Sequence, residues 1–380
     1  MDFTFTEEQQ MLQDTTRRFI ARDYSFDTRR ERARAAREGR ADRKVWQGLA
    51  DLGLTALNVP EEDGGLGGNA IDTMLVMTAL GEGLVLEPFL SSAVMATKAL
   101  ATLGSPAQKE AMLPALASGE MIAVFAHDEA ASRFDWKAIE TSAREDDGSY
   151  VLNGRKSMIA YAPHADVLLV TARIEGPDQP GALAVFAVPK DAAGLRITPF
   201  PMVDGAIGGE ILLDDVTVPA QALLGESSDD AESRIGEVLD AGLAAICAEA
   251  VGALDKLLAA TVEYARTRKQ FGVPIGKFQA LQHRMADMVL HIEQARSMAY
   301  LASVRCTDTD LARRRRDLSA AKVVVGQACR FVGQQAVQLH GGMGVTDELD
   351  VSHYFKRLMA IEMQFGSTDT HLEQVAAALA

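Results

Sequence analysis

The chain predicts an α+β fold in three successive blocks, helical to residue 121, β from 122 to 227 and helical again from 228 to 380. Apolar residues in the first and last thirds recur at steps of three and four, the period of a helix with one buried face. The middle third instead carries short β-rich runs separated by turn residues. A third observation narrows the choice. No G-x-G-x-x-G follows a strand, and blocks of one element type argue for separate layers instead of a βαβ repeat, which disfavours a Rossmann site.

Thr6 followed by Gln9 reads as a capping box, each side chain satisfying an orphan backbone N–H, and Leu12, Thr16 and Phe19 then share one helical face. Helical patterns continue to about residue 120, broken by the glycine-rich run 61–68 and by Pro88 and Pro114. From about residue 122, strands fit 166–171, 184–188, 195–198 and 209–213, with Asn153-Gly154 as a type I′ hairpin signal, and together they suggest a compact barrel or sandwich. Pro219 to about Ser228 closes this block. Beyond it, Leu243, Ile246, Cys247, Ala250, Leu254, Leu257 and Leu258 mark the first of several long antiparallel helices.

At 380 residues the chain can bury two or three cores, and 48% hydrophobic with 24% charged residues is ordinary globular composition. A net charge of −15 repels a phosphate backbone and argues against nucleic acid. The basic run Arg313–Arg316 reads as a solvated helix start. Cys247, Cys306 and Cys329 are odd in number and lack CxxC spacing, so reduced core thiols are expected, with no disulfide framework and no metal site. The N-terminus has no leader pattern, and no apolar stretch approaches the roughly 20 residues of a membrane span. A cytoplasmic protein without membrane attachment is expected.

Residues 264–288, YARTRKQFGVPIGKFQALQHRMADM, resemble the signature of acyl-CoA dehydrogenases, and 338–344, QLHGGMG, resemble a second motif of that family. Residues 214–219 (DDVTVP) and 224–226 (LGE) resemble the strand closing its middle domain. Residues 86–88 (LEP), 248–252 (AEAVG) and 353–357 (HYFKR) are most similar to the subgroup of pimeloyl-CoA dehydrogenase small subunits. The resemblance implies an N-terminal α-helical domain, a middle β domain, a C-terminal four-helix bundle, and assembly into oligomers. It also implies FAD, an acyl-CoA substrate and an electron-transfer flavoprotein as oxidant.

By the same resemblance Arg268 meets the FAD pyrophosphate across a subunit boundary, a task suited to a fixed fork of donors. Gln270 and Phe271 line that pocket, and Gln338, Gly341 and Gly342 form the loop where backbone approaches a neighbour's dinucleotide. Gly344 accompanies them, while His340 is structural. Lone glycines there also serve simply to end a helix.

The implied chemistry needs a carboxylate to take a Cα proton while hydride leaves Cβ for flavin. One usual position of that base falls on Phe365, within 363–369 (MQFGSTD), and the other on Gly242, so neither carboxylate is present. Asp240 is the candidate for a relocated base; the plainer reading makes it an acid at a helix N-terminus. Glu249 lies about two turns from Gly242. Ser367 and Asp369 match flavin-contacting positions. Residues 127–135 (HDEAASRFD) depart from a family segment of the middle domain, and Met158 to Ala160 replace one that brings a tryptophan and a threonine to the flavin, leaving backbone N–H groups on these loops as its partners.

These departures imply a small subunit of a hetero-oligomer whose companion acyl-CoA dehydrogenase chain supplies the glutamate. The alternatives are an active homo-oligomer using Asp240, a non-catalytic scaffold of the same fold, and, ranked last, a flavin monooxygenase.

Overall fold

The computed structural model describes residues 4–40, 42–175, 181–225 and 230–379. The N-terminal block holds α1 (Glu7–Asp23), α2 (Phe26–Arg37), α3 (Lys44–Asp51), α4 (Ala70–Glu82), α5 (Thr97–Leu103) and α6 (Pro106–Ala117). The capping box at Thr6 forms as expected, and Thr16, Phe19 and Ile20 turn inward. Pro114 does not break its segment: it lies within α6, near the end. The bond it removes there would have ended on the carbonyl of exposed Glu110, which water can reach. Pro88 does mark a change, because Phe89–Ala96 winds as a wider π-type helix before α5.

The middle block is one curled seven-stranded sheet in the order β1 (Ala123–Ala126), β4 (Val167–Glu175), β2 (Ser142–Asp146), β3 (Ser149–Ala160), β7 (Ile207–Pro219), β6 (Leu195–Pro201), with β5 (Leu183–Pro189) on the other edge of β4. β1 and β2 share one edge of β4 end to end, both parallel to it. The hairpin turn is not at Asn153-Gly154. It falls at Asp147 (φ 45°) and Gly148 (φ 77°), while Asn153 and Gly154 lie inside β3 at a register shift. Asn153 there exchanges two 2.9 Å hydrogen bonds with Asp215, and a side chain at Gly154 would strike Thr141. Local turn preference lost to cross-strand pairing. Of the boundary expected at Pro219 to about Ser228, Ser228 itself lies outside the described residues, as does the 227 side of the block limit.

The last block contains α7 (Ala231–Thr267), the tiny hairpin β8 (Lys269–Gln270) and β9 (Val273–Pro274), then α8 (Gln279–Arg305), α9 (Leu311–His340), α10 (Asp350–Met363) and α11 (Thr368–Leu379). α7, α8, α9 and α10 bury one apolar cluster that includes the three free cysteines. α7 also reaches back to the first block. A Cβ on Gly252 would lie 1.9 Å from the Thr78 carbonyl oxygen and one on Gly81 2.1 Å from that of Glu249, so α4 and α7 cross backbone to backbone. That crossing sets the blocks around the middle of α7. No helix among the described residues is long and apolar enough to cross a membrane.

Candidate active site

Two regions along α7 collect the residues singled out above. At its C-terminal end Arg268 caps the helix, and Phe271 (φ 54°) and Gly272 (φ 82°) turn the β8–β9 hairpin. Tyr264 stacks on His340 with ring centroids 4.3 Å apart, which draws the ends of α7 and α9 together. His340 Nδ1 hydrogen-bonds to the Ala336 carbonyl at 2.8 Å, the structural role expected of it. Arg268, Gln270, Gln338, Gly341 and Gly342 are exposed beside this stack, and Phe271 is 91% exposed. A Cβ built on Gly341 or Gly342 meets nothing within 4 Å, so backbone is open to approach there. Gly344 differs: it is buried against the Val337 carbonyl, a packing glycine.

The middle of α7 is filled. A Cβ on Gly242 would lie 2.8 Å from Phe365 Cζ and 3.0 Å from Met95 Sδ, so the phenyl ring rests on the helix backbone where the two expected base positions face each other. Phe365 has φ 60°, a left-handed conformation that costs a non-glycine residue about 1–2 kcal/mol. Its turn is held from behind. The buried Lys322 ammonium donates to the carbonyls of Glu362 and Gly366, each at 2.8 Å, and His371 Nε2 bonds the Phe365 carbonyl at 2.9 Å. Burial pushes the His371 imidazole down to about 4, and Lys322 adds to the effect. Ser367 caps α11, bonding the Thr370 N–H, and Asp369 is exposed in the first turn.

Asp240 lies about half a turn round α7 from Gly242, hence on another side of the helix, and its carboxylate pairs with Arg314 at 2.8 Å. It is nine residues inside α7, not at its N-terminus, so the helix-dipole explanation fails. Burial raises its pKa, against the pull of Arg315 and Arg314. The basic run does open α9, with Arg313 and Arg316 exposed, but its middle is not solvated. Arg314 is buried, and the Arg315 guanidinium sits 4.6 Å above the Trp136 ring. Glu249 is likewise engaged: Arg357 grips it with two bonds of 2.6 and 2.7 Å and reaches Asp204 at 2.8 Å.

At the β face, Met158 is exposed with φ 58°, but its N–H goes to Glu210 at 3.2 Å, while those of Ser157 and Tyr161 go to the carbonyls of Asp128 and Ile207. Of the backbone donors expected for a flavin ring, that of Met158 is thus committed within the chain. Ala160 lines a cavity of about 60 Å³ together with Leu90, Glu249, Arg357 and Gln364. Sequence reasoning missed the support beneath this loop. Lys156 is fully buried and donates to Glu129 (2.7 Å), Thr171 (3.0 Å) and the His127 carbonyl (3.2 Å), and burial pushes its ammonium down to about 8. A lysine on an inward position of a strand was the available signal.

Residues 6–120 match the acyl-CoA dehydrogenase N-terminal domain, 125–216 its middle domain and 233–380 its C-terminal domain. The chain belongs to the acyl-CoA dehydrogenase family. It is 31% identical to the probable acyl-CoA dehydrogenase YngJ of Bacillus subtilis (strain 168), with 97% of each chain covered. Among solved structures it is similar to the ChsE4-ChsE5 complex from Mycobacterium tuberculosis (TM-score 0.88, 28% identity, 100% of this chain and 99% of that one). Butyryl-CoA dehydrogenase from Megasphaera elsdenii gives a TM-score of 0.88 at 26% identity, with both chains fully covered. As an acyl-CoA dehydrogenase, this chain combines the family's three domains with a core in which the Phe365 ring packs on Gly242.

Proposed function

We propose that this chain is the partner-type, small subunit of a hetero-oligomeric, FAD-dependent acyl-CoA dehydrogenase, acting in the cytoplasm on an acyl-CoA thioester with an electron-transfer flavoprotein as oxidant. The observation that carries the reading is the contact of Phe365 with Gly242 and Met95, an apolar junction in which no proton acceptor stands at either expected base position. The open end of α7 supports the other half. Arg268, Gln270, Phe271, Gln338, Gly341 and Gly342 suit an anionic dinucleotide carried by a neighbouring chain, while Met158 and Ala160 on β3 and Ser367 and Asp369 at the start of α11 are the positions left to contact a flavin ring in this chain. The resemblance to pimeloyl-CoA dehydrogenase small subunits and the structural likeness to a two-component complex point the same way. Block limits at 121/122 and 227/228 belong to this proposal.

FAD supplies the hydride acceptor when bound; this chain's part is to hold the dinucleotide and orient the companion. Anaerobic titration of the purified chain with acyl-CoA thioesters, with and without the companion chain, tests it. The chain alone retains little flavin and shows no bleaching, and adding the companion brings turnover. Normal turnover by the pure chain overturns the proposal. A second reading, an active homo-oligomer using Asp240 as base, draws on that residue's buried carboxyl and raised pKa. Asp240→Asn would then abolish product formation and spare flavin content.

A further inference from the structure

We infer that the Phe365 ring is a plug that closes this chain's own acyl-binding space, leaving the outer face of the C-terminal block as its contribution to catalysis. The inference rests on the acyl-CoA reading above and names the side chain that separates this subunit from a self-sufficient one.

Three elements of the chain meet at the ring. Met95 comes from the π-type helix of the N-terminal block, Gly242 from α7, and Phe365 from the turn between α10 and α11. The ring packs against two otherwise separate apolar clusters, one among the bundle helices and one between the first two blocks and the start of α7. It therefore stands at a junction, where a ligand entering between the blocks would have to pass.

The fit is mutual. With a Cβ on Gly242 the ring would lie at 2.8 Å, inside contact distance, so the glycine is what lets the ring seat. A ring that merely filled a surface hollow would need no such concession from a helix backbone. The turn is also fixed against swinging away, because Lys322 binds the carbonyls on both sides of Phe365 and His371 binds its own. These bonds over-determine the left-handed backbone of Phe365, and backbone strain held in this way gathers at functional sites. The cavity that the neighbouring Gln364 lines, about 60 Å³, is far below the roughly 300–1,000 Å³ of a small-molecule pocket. The Arg357–Glu249 ion pair lines that cavity, and an acyl chain could not displace it without stranding two charges.

The test separates acyl recognition from recognition of the CoA head. The purified full chain is titrated calorimetrically with CoA, butanoyl-CoA and octanoyl-CoA, alongside Phe365→Ala and the milder Phe365→Leu, each checked for a cooperative thermal transition. In the wild-type chain affinity does not depend on acyl length. In Phe365→Ala it rises by about tenfold or more from CoA to octanoyl-CoA, the gain expected from burying two or more methylenes, and Phe365→Leu lies between. Length-dependent binding by the wild-type chain overturns the plug, as does its absence in a variant that folds; Phe365→Leu decides if Phe365→Ala does not fold. The outcome is independent of whether a companion chain brings turnover, so a failed plug and a failed partner role are told apart.

Discussion

The two regions of α7 differ in what their neighbours already do. At the C-terminal end, an aromatic side chain 91% exposed touches its own chain through an edge-on Phe278 ring at 6.1 Å, and two glycines face open space. At the middle, a glycine of the same helix is in contact with a ring and a thioether, and the surrounding polar groups are paired. A surface that retains motif residues without covering them is arranged for something outside the chain. A junction whose empty Cβ position has been taken by another residue of the chain has been reassigned to packing. Presence of a motif and availability of a site are therefore separate questions.

The sharpest way to break the comparison is to open the filled region. Arg357→Ala removes the bidentate partner of Glu249 and leaves it and Asp204 without the guanidinium that pairs them, so stability falls by about 3–5 kcal/mol. Urea unfolding of the purified chain measures this; a loss under about 1 kcal/mol would mean that the hub is hydrated and loose.

At the open end the opposite holds. Arg268→Ala leaves stability of the isolated chain within about 0.5 kcal/mol because the side chain is exposed. In the assembly it weakens FAD retention by about 10- to 100-fold, the value of a charge-assisted contact of roughly 1.5–3 kcal/mol. Flavin content after dialysis of the assembled protein reads it, and unchanged retention would remove Arg268 from the cofactor site.

Acid separates the regions more gently. His371 is neutral when folded, its pKa held down at about 4 against an ordinary 6.5. Between those values the unfolded chain binds more protons than the folded one, so stability is present above about pH 6.5 and declines as pH falls toward 4, by about 1–3 kcal/mol. His371→Gln should flatten that limb of the pH–stability curve, and an unchanged slope would assign the acid sensitivity elsewhere.

The smallest effect is expected from Phe271→Ser, within about 0.5 kcal/mol on folding of the isolated chain, since the ring buries almost nothing there. Sedimentation of the assembled protein gives it meaning: loss of association marks the hairpin as covered by a partner, and unchanged association leaves it a free surface.

Much of this was legible before any coordinates. The Thr6–Gln9 capping box and the helical periods are local signals, carried by contacts three or four residues apart, and they held. The turn at Asn153-Gly154 did not, because the pairing of β3 with β7 is set by residues some 60 positions apart. Pro114 misled for a related reason, since its cost depends on whether the carbonyl it strands can reach water. Among the site residues, Gly242 and Phe365 stood out singly as missing carboxylates, but nothing in a linear string tells that one lies on the other.

By itself the sequence determined the three-block order, the family and the residue types at positions 242 and 365, where a carboxylate was expected, because periodicity, motif identity and residue type are properties of short stretches. The tertiary structure alone decided that Arg314 occupies Asp240, that Arg357 occupies Glu249, and that Phe365 fills the space over Gly242. Each of those is a contact between residues from 74 to 123 positions apart, and only the packing of α7 against its neighbours brings such pairs within reach.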